Sequence, residues 1–184
     1  MAKIPLSIID PSYCSDWDFW SGVREIIQNA KDAEQYNGCA MVVEHYPRSN
    51  KLVVTSKGTS PAAKELLRLG ASSKRGKDQR GQHGEGFLLG NLALVRAGHP
   101  VTIYNGDEVW RPAIEKEEEG HFIGEDSYFF MTRKLQQARE DFSVEIENVT
   151  KEIWDATKIL FTFLTPPTLT DAVTLETGTV LLAP

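Results

Sequence analysis

The sequence predicts an α+β fold in which a mixed or antiparallel sheet lies under helices. Two observations lead there. The periodic segments run helix, hairpin, helix, loop, helix and then several strands, whereas a doubly wound parallel sheet requires strands and helices in alternation. Two strand pairs are also joined by short turns, Pro47-Arg48-Ser49-Asn50 and Asn105-Gly106-Asp107, which join antiparallel neighbours. With 184 residues, the chain suits one domain and can bury a sizeable core.

The first helix is expected from a cap at Ser15 or Asp16 to about Gln35. On it Trp20, Val23, Ile27 and Ala30 form an apolar stripe, with Ile26 and Ala33 at its edge. Glu25, Asn29 and Asp32 stand at i, i+4 and i+7, so they share one face, roughly opposite that stripe. The helix is therefore expected to pack its apolar side on a sheet and turn its polar side into a cleft.

Two strands follow, from about Ala40 to Tyr46 and from Lys51 to Ser56. Ser60 and Pro61 then read as the cap and first turn of a helix through Leu66, Leu67 and Leu69, ended by Gly70. Residues 71–82 carry no apolar periodicity and read as a mobile, charged loop. From Gly84 a helix carries Phe87, Leu88, Leu92, Leu94 and Val95, ending near Gly98. Val101–Tyr104 and Val109–Ile114 form a hairpin, and Glu115–Glu119 an exposed loop. Tyr128–Arg133 and Phe142–Ile146 alternate as strands do, Thr150 to about Lys158 is helical, and Thr179–Leu182 is a final strand. The pattern of Ile159–Leu164 fits helix or strand. There is no internal repeat, low-complexity tract or linker.

Composition excludes several classes. Hydrophobic content of 41% and charged content of 25% are ordinary for a globular protein. A net charge of −6 disfavours a broad nucleic-acid or membrane-binding surface. The N-terminus has no signal-peptide pattern, and no segment approaches the roughly 20 apolar residues that span a bilayer. Cys14 and Cys39 form neither a CxxC pair nor a disulfide framework, so both are expected reduced and buried, as in a cytoplasmic protein.

Chemistry concentrates in two places. One is the Glu25/Asn29/Asp32 face. The other is Gly81-Gln82-His83-Gly84-Glu85-Gly86-Phe87, a glycine-rich turn opening an apolar helix, the kind of helix start whose backbone N–H groups hold phosphate. An acid to position water, an amide to hold a metal and a nest for phosphate are the parts of a nucleotide-hydrolysing site. The cluster Lys74, Arg75, Lys77 and Arg80 beside the glycines suits an electropositive lid over a polyphosphate. No GxxxxGK[ST] occurs, which excludes a P-loop. Gly84, Gly86 and Gly90 make GxGxxxG, but a Rossmann loop must directly follow a buried strand, and residues 74–80 are none. The four histidines show no metal-ligand spacing, and only His83 lies in the glycine turn.

Glu-x-x-x-Asn-Ala-x-Asp-Ala over Glu25–Ala33, followed by Gly-x-x-Gly-x-Gly-Phe over Gly81–Phe87, resembles the GHKL or Bergerat-fold ATPases. That superfamily includes gyrase B subunits, heat-shock-90-type chaperones, MutL and MORC proteins and sensor histidine kinases. The likeness covers about residues 16–98, with Leu69–Lys74 placed like the family's nucleotide lid and a looser match at Thr177-Gly178-Thr179.

The resemblance implies a single two-layer α+β sandwich over 1–184, a mixed, mostly antiparallel sheet covered on one face by helices, with a lid at about 71–83. It implies ATP and Mg²⁺ as ligands. Glu25 would be the general base and Asn29 the Mg²⁺ ligand. Asp32 would support the metal's waters or the adenine side, and Ala33 would leave room for the base. Gly81, Gln82, His83, Gly84, Glu85, Gly86 and Phe87 would bind phosphates, and Ser72, Ser73 and Lys74 would close over them. Thr179 would reach the adenine end. Where the family carries Asp-x-Gly-x-Gly this chain reads Ser56-Lys57-Gly58-Thr59-Ser60, so a neutral Ser56 replaces an adenine-binding carboxylate while Gly58 still permits the turn. The absence of a histidine hairpin before residue 16 favours transfer to water over a kinase reaction. The ATPase would drive a lid or dimerisation switch, with a second copy or another protein as partner. The ending at Pro184 suggests a module of a longer protein.

Overall fold

The structure, a computed structural model, describes residues 2–5, 9–66, 85–116, 125–161, 164, 173–175 and 178–180. The fold class is as expected, an α+β arrangement of two layers. Seven strands form one sheet: β1 (Ala2–Pro5), β2 (Met41–Tyr46), β3 (Lys51–Ser56), β4 (Val101–Asn105), β5 (Glu108–Lys116), β6 (Asp126–Lys134) and β7 (Phe142–Ile146). Their spatial order is β1-β6-β5-β4-β7-β3-β2, and every pairing in it is antiparallel.

Register explains why this order is stable. One rank of paired residues, Val43, Val54, Val144, Ile103 and Trp110, crosses five strands. A second, His45, Leu52, Ile146 and Val101, runs beside it. Leu52, Ile103, Trp110 and Ile146 are fully buried. Because strand side chains alternate between faces, a slip of one residue would turn these ranks out of the core.

Helices α1 (Phe19–Asn37) and α3 (Gly86–Arg96) cover the sheet, α1 over β2 and β3, α3 over β4 and β5. α1 starts because the Asp18 carboxylate accepts the Ser21 N–H at 2.9 Å, so its cap is Asp18 and neither Ser15 nor Asp16. It ends at Gly38, whose φ of +70° only glycine adopts without strain. The expected stripe is buried at Val23, Ile27 and Ala30, with Ile26 buried as well and Trp20 only partly. α3 buries most of its residues, and the Tyr128 hydroxyl donates to the Leu88 carbonyl at 2.9 Å, tying sheet to helix. At the other end of α3 the Arg96 guanidinium donates to the carbonyls of Pro11, Tyr13, Cys14 and Trp17, which fixes the segment leading into α1.

Some local expectations are corrected. The helix placed at Ser60-Pro61 begins later, as α2 (Ala63–Leu66). Ser60 stands two residues before the cap position, and its hydroxyl donates to Asn105 Oδ1 at 2.9 Å, while Asn105 Nδ2 donates to the Pro61 carbonyl. Glu115 and Lys116 continue β5 by pairing with Ser127 and Asp126, and are not loop. Cys14 and Cys39 are free thiols, both half-buried instead of buried.

The chain divides into two compact units, Met1–Val149 and Thr150–Pro184. The second holds α4 (Lys151–Lys158), capped by the Thr150 hydroxyl, and a hairpin of β8 (Val173–Leu175) with β9 (Gly178–Val180). Ile159 and Leu160 form a turn after α4. Among the described residues no helix is long and apolar enough to cross a membrane.

Candidate functional site

The site begins where α1 crosses α3. A Cβ built on Gly22 would meet Leu94 Cγ at 2.6 Å and the Gly90 carbonyl oxygen at 2.8 Å. One on Gly90 would meet Glu25 Cβ at 2.8 Å and the Gly22 carbonyl oxygen at 3.2 Å. The two glycines therefore let the helix backbones approach closely. One turn before Gly90, a Cβ on Gly86 would lie 2.2 Å from Glu25 Oε2. The Glu25 carboxylate thus sits directly against the first residue of α3.

That residue opens a helix whose cap residue, Glu85, makes no side-chain capping bond. A helix start in this state attracts anions, through both free donors and the helix dipole. Glu25 is partly shielded, its side chain 22% exposed, and its Oε1 accepts from Arg24 Nε at 3.1 Å and Nη2 at 2.8 Å.

Asn29 lies one turn further along the same face. Its Nδ2 donates to the Glu25 carbonyl at 2.8 Å, so Oδ1 is the end of the amide not tied to the helix backbone. Asp32, one turn beyond, is buried at 5% exposure and accepts from Gln28 Nε2 at 2.8 Å. Its burial, on the side of the helix away from the apolar stripe, shows that this face is covered and not merely solvated. Ala33 is half-buried and its carbonyl accepts the N–H of Cys39 at 3.3 Å, so it takes part in closing the helix.

Ser56 ends β3, is 3% exposed, and pairs with Met41 on one side and Phe142 on the other. The Phe142 ring stands 6.0 Å from that of Phe87, in the first turn of α3. Ser56 therefore lies at the same end of the sheet as the start of α3. After it the chain turns at Gly58, with φ of +64°, held by an acid that sequence reasoning missed. The Asp141 carboxylate accepts from the Gly58 N–H at 2.9 Å and from Lys57 Nζ at 2.8 Å.

The Lys57 ammonium and the Gly58 N–H hold the Asp141 carboxyl below its ordinary value of 3.8. A depressed pKa in the folded state gives stability that is present above the ordinary value and lost as pH falls through the folded one. Asp141→Asn should therefore lower the Tm at pH 7, and the gap to wild type should close as the pH is taken below 3.8, read by thermal melts over that series. A gap that stays constant with pH would rule the charge out.

Glu25, Asn29, Asp32, Ala33, Ser56, Gly58, Glu85, Gly86 and Phe87 all lie in the first unit, where Glu25 is in contact with Gly86 and with Asn29. Ser72, Ser73, Lys74, Gly81, Gln82, His83 and Gly84 lie outside the described residues. Thr179 is in β9 of the second unit, opposite Thr174. Among the described residues no group of three or more His, Cys, Asp or Glu is placed to hold a metal. Gly22 was the other missed signal, since a glycine inside a helix costs about 1 kcal/mol against alanine and so marks a close approach.

The two-layer order, with helices on one sheet face and the site between α1 and the start of α3, is consistent with a Bergerat-like fold. No protein-family model and no curated protein matches the sequence. Among solved structures the chain is similar to the ATPase region of Saccharomyces cerevisiae topoisomerase II bound to ICRF-187 (dexrazoxane). That likeness has a TM-score of 0.45 and 11% identity over 89% of this chain and 49% of the other. A second structure of the ATPase region from the same organism gives 0.45 and 11%, over 79% and 44%. The ATPase and transducer domains of DNA topoisomerase II from Balamuthia mandrillaris give 0.39 and 12%, over 73% and 38%. This chain thus spans about half or less of the length of the structures it matches.

Proposed function

We propose that the chain is a Mg²⁺-dependent ATP-binding protein that hydrolyses ATP. One observation carries the reading: the Glu25 carboxylate lies against Gly86, at the start of α3, whose cap residue Glu85 makes no side-chain capping bond. A phosphate chain seated on that helix start would be held by backbone donors and the helix dipole. Its terminal phosphoryl group would then stand beside a carboxylate able to orient water and take its proton. The products are ADP and inorganic phosphate, the proton passing from water to Glu25.

Asn29 fits the metal. A carboxamide oxygen is a hard ligand suited to Mg²⁺, which typically takes one or two protein ligands and completes its shell with phosphate oxygens and water. The ion would supply charge neutralisation across the phosphates as they bind. Asp32, buried and hydrogen-bonded to Gln28, would order the surroundings of that ligand. Ser56 and Ala33 would line the base end, and residues 81–84 would bind the phosphates, with Ser72, Ser73 and Lys74 closing over them. Hydrolysis would drive a lid or dimerisation switch read by a second copy of the chain or by another protein.

The test is Glu25→Ala. Phosphate release from Mg-ATP should fall at least about 1,000-fold, the loss expected for a general base together with the water it positions, while calorimetric binding of Mg-ATP persists. Unchanged turnover would remove Glu25 from the reaction. A second reading, binding without useful turnover, is favoured by Ser56 standing where the resembled family has an acid. Tight binding with no phosphate release in the wild type would establish it.

A further inference from the structure

Arg24 is unaccounted for by this reading, and its surroundings are specific. Its guanidinium donates twice to one oxygen of Glu25, from Nε at 3.1 Å and Nη2 at 2.8 Å. Its Cζ also lies 5.5 Å from the centre of the Trp17 ring. Trp17 is itself anchored, because its carbonyl accepts from Arg96 Nη2 at 3.2 Å, in the last turn of α3. One chain of contacts therefore leads from the end of α3 through Trp17 and Arg24 to Glu25, whose other oxygen rests against Gly86 at the start of the same helix.

A carboxylate in that place is under strain of a simple kind. A triphosphate on the α3 start would set several negative charges beside it, and like charges at short range repel. An unrestrained glutamate, with three rotatable bonds, would swing away. Two N–H groups fixed on Oε1 remove that freedom and leave Oε2 facing the helix start. The stacked indole in turn limits where the guanidinium goes, and a guanidinium over an aromatic face is itself attracted.

We infer that Arg24 is a positioning residue, which holds the Glu25 carboxylate against the start of α3 so that it is ready to orient water. The inference rests on the ATP-hydrolysing reading and assigns Arg24 no contact with nucleotide.

The experiment compares wild type with Arg24→Ala, Arg24→Lys, Glu25→Gln and the Arg24→Ala/Glu25→Gln double variant. Phosphate release from Mg-ATP and the Tm without nucleotide are measured for each. Arg24→Ala should lower kcat by roughly 10- to 100-fold, as misplacement of a reacting group by about 1 Å does, with KM little changed. Arg24→Lys should restore only part of it, since an ammonium lacks the guanidinium's rigid pair of donors. In the Glu25→Gln background the loss of Arg24 should cost nothing further. Unchanged kcat in Arg24→Ala overturns the proposal. Faster turnover overturns it too, by making the pair a latch that holds the carboxylate back, and a raised KM with kcat unchanged overturns it by making Arg24 a nucleotide ligand. If the wild type releases no phosphate, the hydrolytic reading fails and the Tm series decides Arg24 separately. Losses that add in the double variant then reject the coupling, and losses that do not add support it.

Discussion

Gly86→Ala is expected to abolish most turnover while leaving the fold almost untouched. The new Cβ would stand 2.2 Å from Glu25 Oε2, well inside the 3.0 Å below which real contacts essentially never fall. The carboxylate must therefore retreat by about 1 Å, and a displacement of that size can cost about 100-fold in rate. What it meets is the far end of a flexible side chain, with no backbone atom among the near contacts, so the structure yields cheaply. Replacing glycine in a helix also favours folding by up to about 1 kcal/mol, less at a first turn. The prediction is a Tm within about 2 °C of wild type beside phosphate release lowered roughly 100-fold. Activity that survives with a normal Tm would mean that the place of Glu25 over the helix start has no bearing on the reaction.

Much of the fold was legible because its signals are local. β3 and β7 match their expected limits, since the apolar residues recur at every second position, Leu52 and Val54 in one and Phe142, Val144 and Ile146 in the other, as the pleat requires. The β4–β5 turn was readable from Asn105-Gly106-Asp107, and α4 was expected over Thr150 to about Lys158, where it runs Lys151–Lys158 with Thr150 as its cap. β1 escaped notice because Ala2–Pro5 has no period of its own. It is a strand only by pairing with β6, where Ala2 meets Thr132, 130 residues along the chain. β5 ran past its expected end for the same reason: Glu115 and Lys116 look like loop, yet β6 offers them partners.

The site divides along the same line. Glu25, Asn29 and Asp32 could be set on one face from spacing alone, because helical geometry is periodic. Asp32 was nonetheless expected to look into a cleft, and its burial at 5% exposure comes from residues that no pattern on α1 names. Asp141 reaches Gly58 across more than 80 residues of chain. Arg24 lies next to Glu25 in sequence, and neighbours on a helix normally diverge by about 100°, so nothing in the spacing announces that their side chains meet. The place of Glu25 over the start of α3 depends on how the two helices cross, and their close approach is at Gly22 and Gly90.

Gly22→Ala should show the converse of Gly86→Ala, a damaged fold and a damaged site together. Its Cβ would stand 2.6 Å from Leu94 Cγ, a side chain that is fully buried, and 2.8 Å from the Gly90 carbonyl oxygen, which is backbone. Neither can turn aside, so α1 and α3 must separate. Overpacking of this severity costs about 3 kcal/mol, and the gain in helix propensity returns about 1 kcal/mol of it. The net loss of about 2 kcal/mol corresponds to a Tm lower by about 4–8 °C for a chain of this size. Separation also draws Glu25 away from Gly86, since both ride on the helices being forced apart, so turnover should drop in step. Combining Gly22→Ala with Leu94→Ala separates the two contacts. The smaller side chain frees the 2.6 Å clash but not the carbonyl, so the double variant should stay impaired in phosphate release. Full recovery of release would show that the backbone approach of the two helices does not set the place of the carboxylate.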